Sequence, residues 1–386
     1  MTSIRETIRR IFETTRPLPA GTYHYQAPAD SPTPLRLHLR LEADGTGLLI
    51  VNASTVLHLN PTAAEFAYHL VQQTPEEEVV RSVSRRYNVQ IDQARADFKD
   101  LSDRLRTFVT TPDLDPETYL SFERADPYSV QISAPYRLDC ALTYRLSSGD
   151  PRKDAPIERV RREMLTEEWQ TILQKAWDAG IPHVIFTGGE PTLRPDLPDL
   201  IRYAESLGLV SGLISDGLRL AETEFLHTLL QSGLDHLMLI LHADEEESWE
   251  ALRDVLSEDL FTTVHVTLTP HNVNEIPDIL EKLAQMGVTS LSLSVSTDAL
   301  TKELQTARQT AAERGLSLKW DLPVPYSDLH PVALELQQAE RPVGAGKAWL
   351  YVEPDGDVLP AQGVTQTLGN MLVDPWEEIW RKAQAG

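Results

Sequence analysis

Between Tyr128 and Thr297 short apolar runs alternate with amphipathic helical patterns, and this alternation limits the possible folds more than any other feature of the chain. The apolar runs are RLDCALTY, HVIFTGG, LVSGLISDG, HLMLILHA, FTTVHVTLTP and SLSLSVS. Helical patterns start near Thr166, Pro198, Glu222, Glu247 and Asn274, and another follows at Leu300. A strand returning through a helix pairs in parallel with its neighbour, because a parallel connection needs a long crossover. Six such units in a row predict an α/β chain built on a partial (βα)6 TIM-like barrel. No internal repeat competes with that reading.

The flanks differ. Residues 1–34 form a lead-in, with Ile4, Ile8, Ile11 and Phe12 on one helical face. Residues 35–109 open with two alternating stretches broken at Asp44-Gly45, a hairpin signal. Three short helices follow, starting at Asn60-Pro61, Thr74-Pro75 and Asp92. The pattern predicts a winged-helix-like α+β domain. Residues 110–127, rich in Pro, Asp and Thr, read as a linker ahead of the barrel at 128–314. Residues 315–386 form a small α+β extension with a tight turn at Asp355-Gly356.

Composition narrows the functions. A net charge of −23 repels nucleic-acid phosphates, so no nucleic-acid partner is expected. No apolar run is long enough to span a membrane, and no membrane partner is expected. The N-terminus lacks the apolar centre of a signal peptide, and one cysteine, Cys140, makes no intramolecular disulfide. A reducing cytoplasm is the expected compartment. The acidic stretch Asp244–Glu247 reads as a solvated helix face. His242, Asp244, His265 and His271 fall near strand ends without a metal-ligand spacing, so no metal site is expected.

The most specific string is FTGGEPTLRPDL, Phe186 to Leu197. Gly188 and Gly189 free the backbone to turn sharply and approach a ligand. Glu190, followed by Pro191, projects from the carboxyl end of a parallel strand, where α/β proteins bind ligands. A carboxylate there suits an ammonium group, or caps a tight turn.

With RLDCALTYRLSSGDPRK one strand earlier and LVSGLISDGLRL one strand later, the chain from Pro135 to Thr297 resembles the radical S-adenosylmethionine (SAM) superfamily. In that family a CxxxCxxC loop after the first strand holds a [4Fe–4S] cluster, and the GGEP segment helps to hold the SAM amino group. The resemblance makes Gly188, Gly189, Glu190, Pro191, Ser215, Asp216 and His242 the SAM-facing positions. Ser215 and Asp216 also suit a helix cap, and His242 a loop position. The three ligand positions fall on Leu146, Asp150 and Lys153, none of them cysteine. Cluster irons take thiolates, so no [4Fe–4S] cluster, no resident cofactor and at most weak SAM binding are expected. Arg145, Arg152, Lys153, Arg159, Arg161 and Arg162 crowd this loop, as an anion site or a solvated face paired with nearby acids.

Residues 344–380 resemble the SPASM or twitch extension of peptide-modifying radical SAM enzymes, with Val343 and Ala361 at its cysteine positions. Residues 35–109 resemble the PqqD-like peptide chaperones through LNPTAAEFAYHL and EEEVVRSVSRRYNV. Such domains bind a leader peptide at a sheet edge. The matching surface is Val51 to Leu59 with the helix from Glu76 to Tyr87. The resemblances imply a catalytically silent protein that binds a precursor peptide, a peptide-modifying enzyme, or both. The alternative is an iron-independent enzyme or sensor that binds SAM or another nucleotide at the carboxyl end of the barrel.

Overall fold

The computed structural model describes residues 18–28, 31, 35–52, 55–110, 132–147, 160, 162–318, 344–364 and 366–385. The amphipathic segment holding Ile4 to Phe12, most of the linker, Asp150, Arg152, Lys153, Arg159, Arg161 and Val343 lie outside the described residues. The chain divides into two compact units, Met1–Ser133 and Ala134–Gly386.

In the first unit, β1 (Gly21–Gln26), β2 (Arg36–Leu41), β3 (Gly47–Val51) and β4 (Thr55–Leu59) form an antiparallel sheet in chain order. The expected hairpin turn is present. The Asp44 carboxylate accepts from the Thr46 amide at 2.9 Å and Gly45 takes φ +90°. Strand β1 falls in the segment read only as a lead-in; it is a mostly exposed edge strand with little apolar signal. Helices α1 (Pro61–Val71), α2 (Glu76–Tyr87) and α3 (Ile91–Thr110) follow. Asn60 caps α1 by accepting from the Ala63 amide at 3.0 Å. Leu39, Leu49 and Leu57 bury one sheet face against Phe66, Val80 and Phe98 of the three helices.

The second unit carries one sheet in the order β11-β10-β9-β8-β7-β6-β5-β12-β13-β14. The parallel core is β5 (Arg137–Thr143), β6 (His183–Gly188), β7 (Val210–Ser215), β8 (His236–Ile240), β9 (Phe261–Leu268) and β10 (Ser290–Val295), the six expected strands. Helices α4 (Thr166–Asp178), α5 (Leu197–Leu207), α6 (Thr223–Gln231), α7 (Glu246–Leu256), α8 (Ile276–Gln285) and α9 (Thr301–Glu313) alternate with them. Short β11 (Ser317–Leu318) extends the parallel sheet beyond β10.

Sequence reading sets residues 315–386 apart, whereas here they continue the barrel sheet. Strand β12 (Trp349–Val352) pairs in parallel with β5, Leu350 facing Leu138. Strands β13 (Asp357–Leu359) and β14 (Gly369–Asn370) then add antiparallel, and α10 (Trp376–Ala385) closes the fold. Among the described residues no helix is long and apolar enough to cross a membrane.

Strand parity sorts the two faces of the parallel sheet. Leu239 and Ala251 of α7 both approach the Gly217 Cα hydrogen, so the side of β8 bearing Leu239 faces the helices. The opposite, inner side holds a separate apolar cluster of Ile185, Ile214, Met238 and Ile240.

Candidate active site at the carboxyl ends of β6 and β7

Strand β6 ends at Gly188, φ +121°, where a Cβ would overlap the Thr143 carbonyl; one at Gly189 would overlap the Arg145 carbonyl. The Gly189 amide donates to Thr143 O at 2.7 Å and the Glu190 amide to Arg145 O at 2.8 Å. The two glycines therefore admit the backbone leaving β5. The sharp turn expected at these glycines is present at Gly188.

Glu190 is 2 % exposed and ties two strand ends together. Its carboxyl accepts from the Thr192 amide at 2.8 Å, the Ser215 hydroxyl at 3.0 Å and the Asp216 amide at 2.8 Å. Burial, with the Asp216 carboxylate as second cause, pushes Glu190 up to about 8. An arriving ammonium favours the ionised form and reverses that shift. Pro191 opens the short turn Pro191–Leu193 that Glu190 caps. The Thr187 hydroxyl, three residues before Glu190, is buried and has no hydrogen-bond partner.

Glu190, Ser215 and Asp216 therefore converge as expected. His242 does not join them: its amide is capped by the Ser248 hydroxyl at 3.0 Å, and among the described residues no hydrogen bond links it to Glu190. Of the other strand-end residues, His265 bonds hydroxyls of β9 and β10. The one described group of three convergent metal-ligand side chains is Glu353, Asp355 and Asp357, beyond β12.

Sequence reading missed Arg194. It is 6 % exposed, grips Asp196 at 2.9 and 2.7 Å, and donates to the carbonyls of Leu142 and Met164 at 3.3 and 3.0 Å. It thereby joins the Glu190 turn to the exit of β5 and to the start of α4. The only signal was its place in FTGGEPTLRPDL. Arg219 likewise donates to the Thr192 carbonyl and lies over the Phe225 ring.

The described residues at the two ends of the segment leaving β5 are packed. Leu146, at the first cluster-ligand position, joins Val160 against Ala141, Tyr144, Tyr351 and Leu359. The Tyr144 hydroxyl donates to Glu353 at 3.1 Å. Thr143 bonds Glu163, and Arg145 pairs with the same carboxylate at 3.3 Å, while Arg162 pairs with Glu168 at 2.5 Å. Of the pairings expected on a helix face, Arg145 makes the one with Glu163, but neither arginine lies in a helix. Ala361 is buried at 3 % exposure. Cys140 has the strand parity of the helix-facing side, and burial pushes its thiol well above the ordinary range.

Comparison with known proteins places this geometry. Residues 140–289 match the family model described as Radical SAM superfamily, and residues 46–107 the one described as Coenzyme PQQ synthesis protein D. A PqqA peptide cyclase of Streptomyces rochei is 29 % identical over 294 residues, covering 66 % of this chain and 77 % of the relative. One from Granulibacter bethesdensis is 27 % identical over 290 residues, covering 66 % and 76 %. Streptococcus suis SuiB, solved bound to the precursor peptide SuiA, superposes with TM-score 0.55 at 14 % identity over 89 % of this chain and 86 % of its own. The form bound to S-adenosylmethionine gives 0.56 at 15 % over the same shares. At such identity the likeness is one of fold.

These matches correct the expectation that the protein has no cofactor: the family points to SAM and an iron–sulfur cluster. The residues treat the two differently. The buried carboxyl of Glu190 fits an ammonium-bearing ligand such as SAM. A cysteine-ligated cluster does not fit the residues of this chain, whose single thiol is buried within β5.

Proposed function

We propose that this chain, a radical SAM superfamily protein with a PqqD domain, recognises a precursor peptide in a ribosomal-peptide modification pathway and holds SAM at Glu190. On its own it is silent in radical initiation, and it works beside a modifying enzyme in the cytoplasm. The observation that carries the proposal is the contrast across one loop: the Glu190 clasp is complete, while Leu146 is packed into apolar contacts at a thiolate position. Glu190 with Ser215 and Asp216 would receive the amino-acid end of SAM, and His242 would stand one strand further along. Bound there, SAM supplies an electrophilic sulfonium. Residues 344–380 serve as a cysteine-free SPASM-like frame around the exit of β5.

Support for peptide binding comes from the sheet edge. Among the described residues no strand pairs with the outer side of β4. Val56, on that strand, is 36 % exposed. Helix α1 packs on the sheet beside it, and the Tyr87 hydroxyl at the end of α2 donates to Pro61 O at 3.1 Å, just past β4. An extended leader segment would add to this edge through main-chain hydrogen bonds. A lysine at an edge strand opposes such pairing.

The test is a calorimetric titration with SAM, Glu190→Ala serving as control, beside anisotropy titrations of labelled leader peptides with wild type and Val56→Lys. SAM heat lost in Glu190→Ala and leader binding lost in Val56→Lys are the expected results. Formation of 5′-deoxyadenosine by the isolated chain with SAM and a reductant would overturn the silent reading. Equal leader affinity in Val56→Lys would remove the β4 edge from it.

A further inference from the structure

The inner face of a parallel barrel is ordinarily filled by branched apolar side chains. Here Ile185, Ile214, Met238 and Ile240 obey that rule from β6 to β8. On the next two strands it stops. Register sets Met238 beside Thr263 and Ile240 beside His265, so the inner positions of β9 are Thr263, His265 and Thr267. Their partners on β10 are Ser290, Ser292 and Ser294. Of the outer positions of the same strands, Val264, Val266, Leu291 and Leu293 are apolar and buried, and Thr262 at the start of β9 turns its hydroxyl to the Leu260 carbonyl. The switch therefore concerns one face only.

The polar face is built around His265. Its Nδ1 bonds Ser292 at 3.0 Å and its Nε2 bonds Ser294 at 2.9 Å and Thr267 at 3.2 Å. Thr263 and Ser290 bond each other at 2.9 Å. On β10 burial lessens toward the carboxyl end, where Ser294 is half-buried, while Thr267 on β9 stays 1 % exposed; the carboxyl end is also the end that carries Glu190. Register also joins the two: Ser215 pairs with Leu239 and Ile240 with His265, so Asp216, Ile240 and His265 follow one another across three strands. At about 4.8 Å per strand, roughly 10 Å separates Asp216 from His265.

Across the apolar cluster a second feature calls for a ligand. Thr187 shares the inner face of β6 with Ile185, is 1 % exposed, and its hydroxyl has no hydrogen-bond partner. A buried hydroxyl without a partner is destabilising, and such a group in a native site awaits a bound polar atom.

The geometry points to a polar subsite on the inner barrel face, formed by Thr187, His265, Ser292 and Ser294, that binds the main chain of the peptide segment carried past Glu190. The inference rests on the peptide-binding reading above and specifies its second contact. Hydroxyls both donate and accept, matching alternate N–H and C=O groups of an extended chain, and His265, with both ring nitrogens engaged, orients the serine hydroxyls. The apolar stretch of Ile214 and Ile240 between them takes side chains.

Saturation-transfer NMR on the full chain, with N-acetyl-tetraglycine amide as a main-chain-only probe, tests the inference. Transfer to the glycine methylenes is expected in wild type, falling about five-fold in Ser292→Ala/Ser294→Ala. Thr187→Val is the sharper variant: an unpartnered hydroxyl contributes no internal bond, so unfolding stability holds or rises while transfer falls. Val56→Lys is expected to leave transfer unchanged, since it acts on the N-terminal sheet. Loss of leader binding as a reading would thus show in the anisotropy titration and leave this signal standing. Three results would overturn the subsite: no transfer in wild type, equal transfer in both barrel variants, or transfer to glucose in place of tetraglycine.

Discussion

The two ends of the parallel strands solve the same problem with opposite charges. At the carboxyl ends Glu190 is a buried acid pushed up to about 8, mainly by burial. At the amino ends His183 and His236 meet through their Nε2 atoms at 2.7 Å, and Gly212 between them clears the space. Burial pushes His236 down to about 4, helped by Arg137, and lowers His183 too. Desolvation favours the neutral form at both ends. The difference lies in what remains. The histidines bond each other, whereas Glu190 collects donors from two strand ends and has the unpartnered hydroxyl of Thr187 near it in sequence. One end is closed by a mutual bond, and the other keeps a buried hydroxyl without a partner.

The strongest way to break this contrast is to fill the glycines that permit each end. Gly188→Ala adds a Cβ against the Thr143 carbonyl at φ +121°, and Gly212→Ala adds one against the His236 ring. Each is expected to cost about 3 kcal/mol or more, read as a lowered urea midpoint. Gly188→Ala is the worse of the two, since backbone yields less than an imidazole.

Next in size is the opposite response to pH. His236 binds fewer protons folded than unfolded between its ordinary 6.5 and about 4, so stability falls as pH drops through that window. Glu190 binds more protons folded between 4.5 and about 8, so its contribution is full below 4.5 and is lost as pH rises through about 8. The alkaline limb is expected to be the larger of the two, since Glu190 is shifted further from its ordinary value than His236. Glu190→Gln should flatten the alkaline limb alone and His236→Leu the acid limb alone, in urea midpoints across pH. Unchanged limbs would mean that water reaches these groups. The smallest effect belongs to the exposed pair Arg145–Glu163 after β5. Arg145→Ala is expected to shift stability by only about 0.5 kcal/mol, because solvent screens its contact with Glu163.

How much of this was legible depended on distance along the chain. The six parallel strands and the hairpins at Gly45 and Gly356 follow from local periodicity and turn chemistry, and the sequence carries both. Glu190 was legible because its role lies within one short string. The His183–His236 contact was hidden, since each histidine alone looks like a strand-start polar residue. Arg194 was hidden because its acceptors at Leu142 and Met164 are backbone carbonyls, which no sequence pattern marks. Strand β1 escaped because an exposed edge strand has little apolar alternation. The parallel union of β12 with β5 could not be read either: no crossover motif announces a strand that returns to the start of a sheet.

That union has a consequence for how the chain is made. Strand β5 emerges early from the ribosome, yet its outer neighbour Trp349–Val352 follows roughly two hundred residues later, a contact of very high order. Throughout that interval the first barrel strand presents one unpaired edge of largely apolar sequence, the kind of edge that recruits foreign strands. Late synthesis of the last strands is therefore the moment at which the barrel becomes safe from aggregation, and a chain stalled before β12 is the species a chaperone would hold.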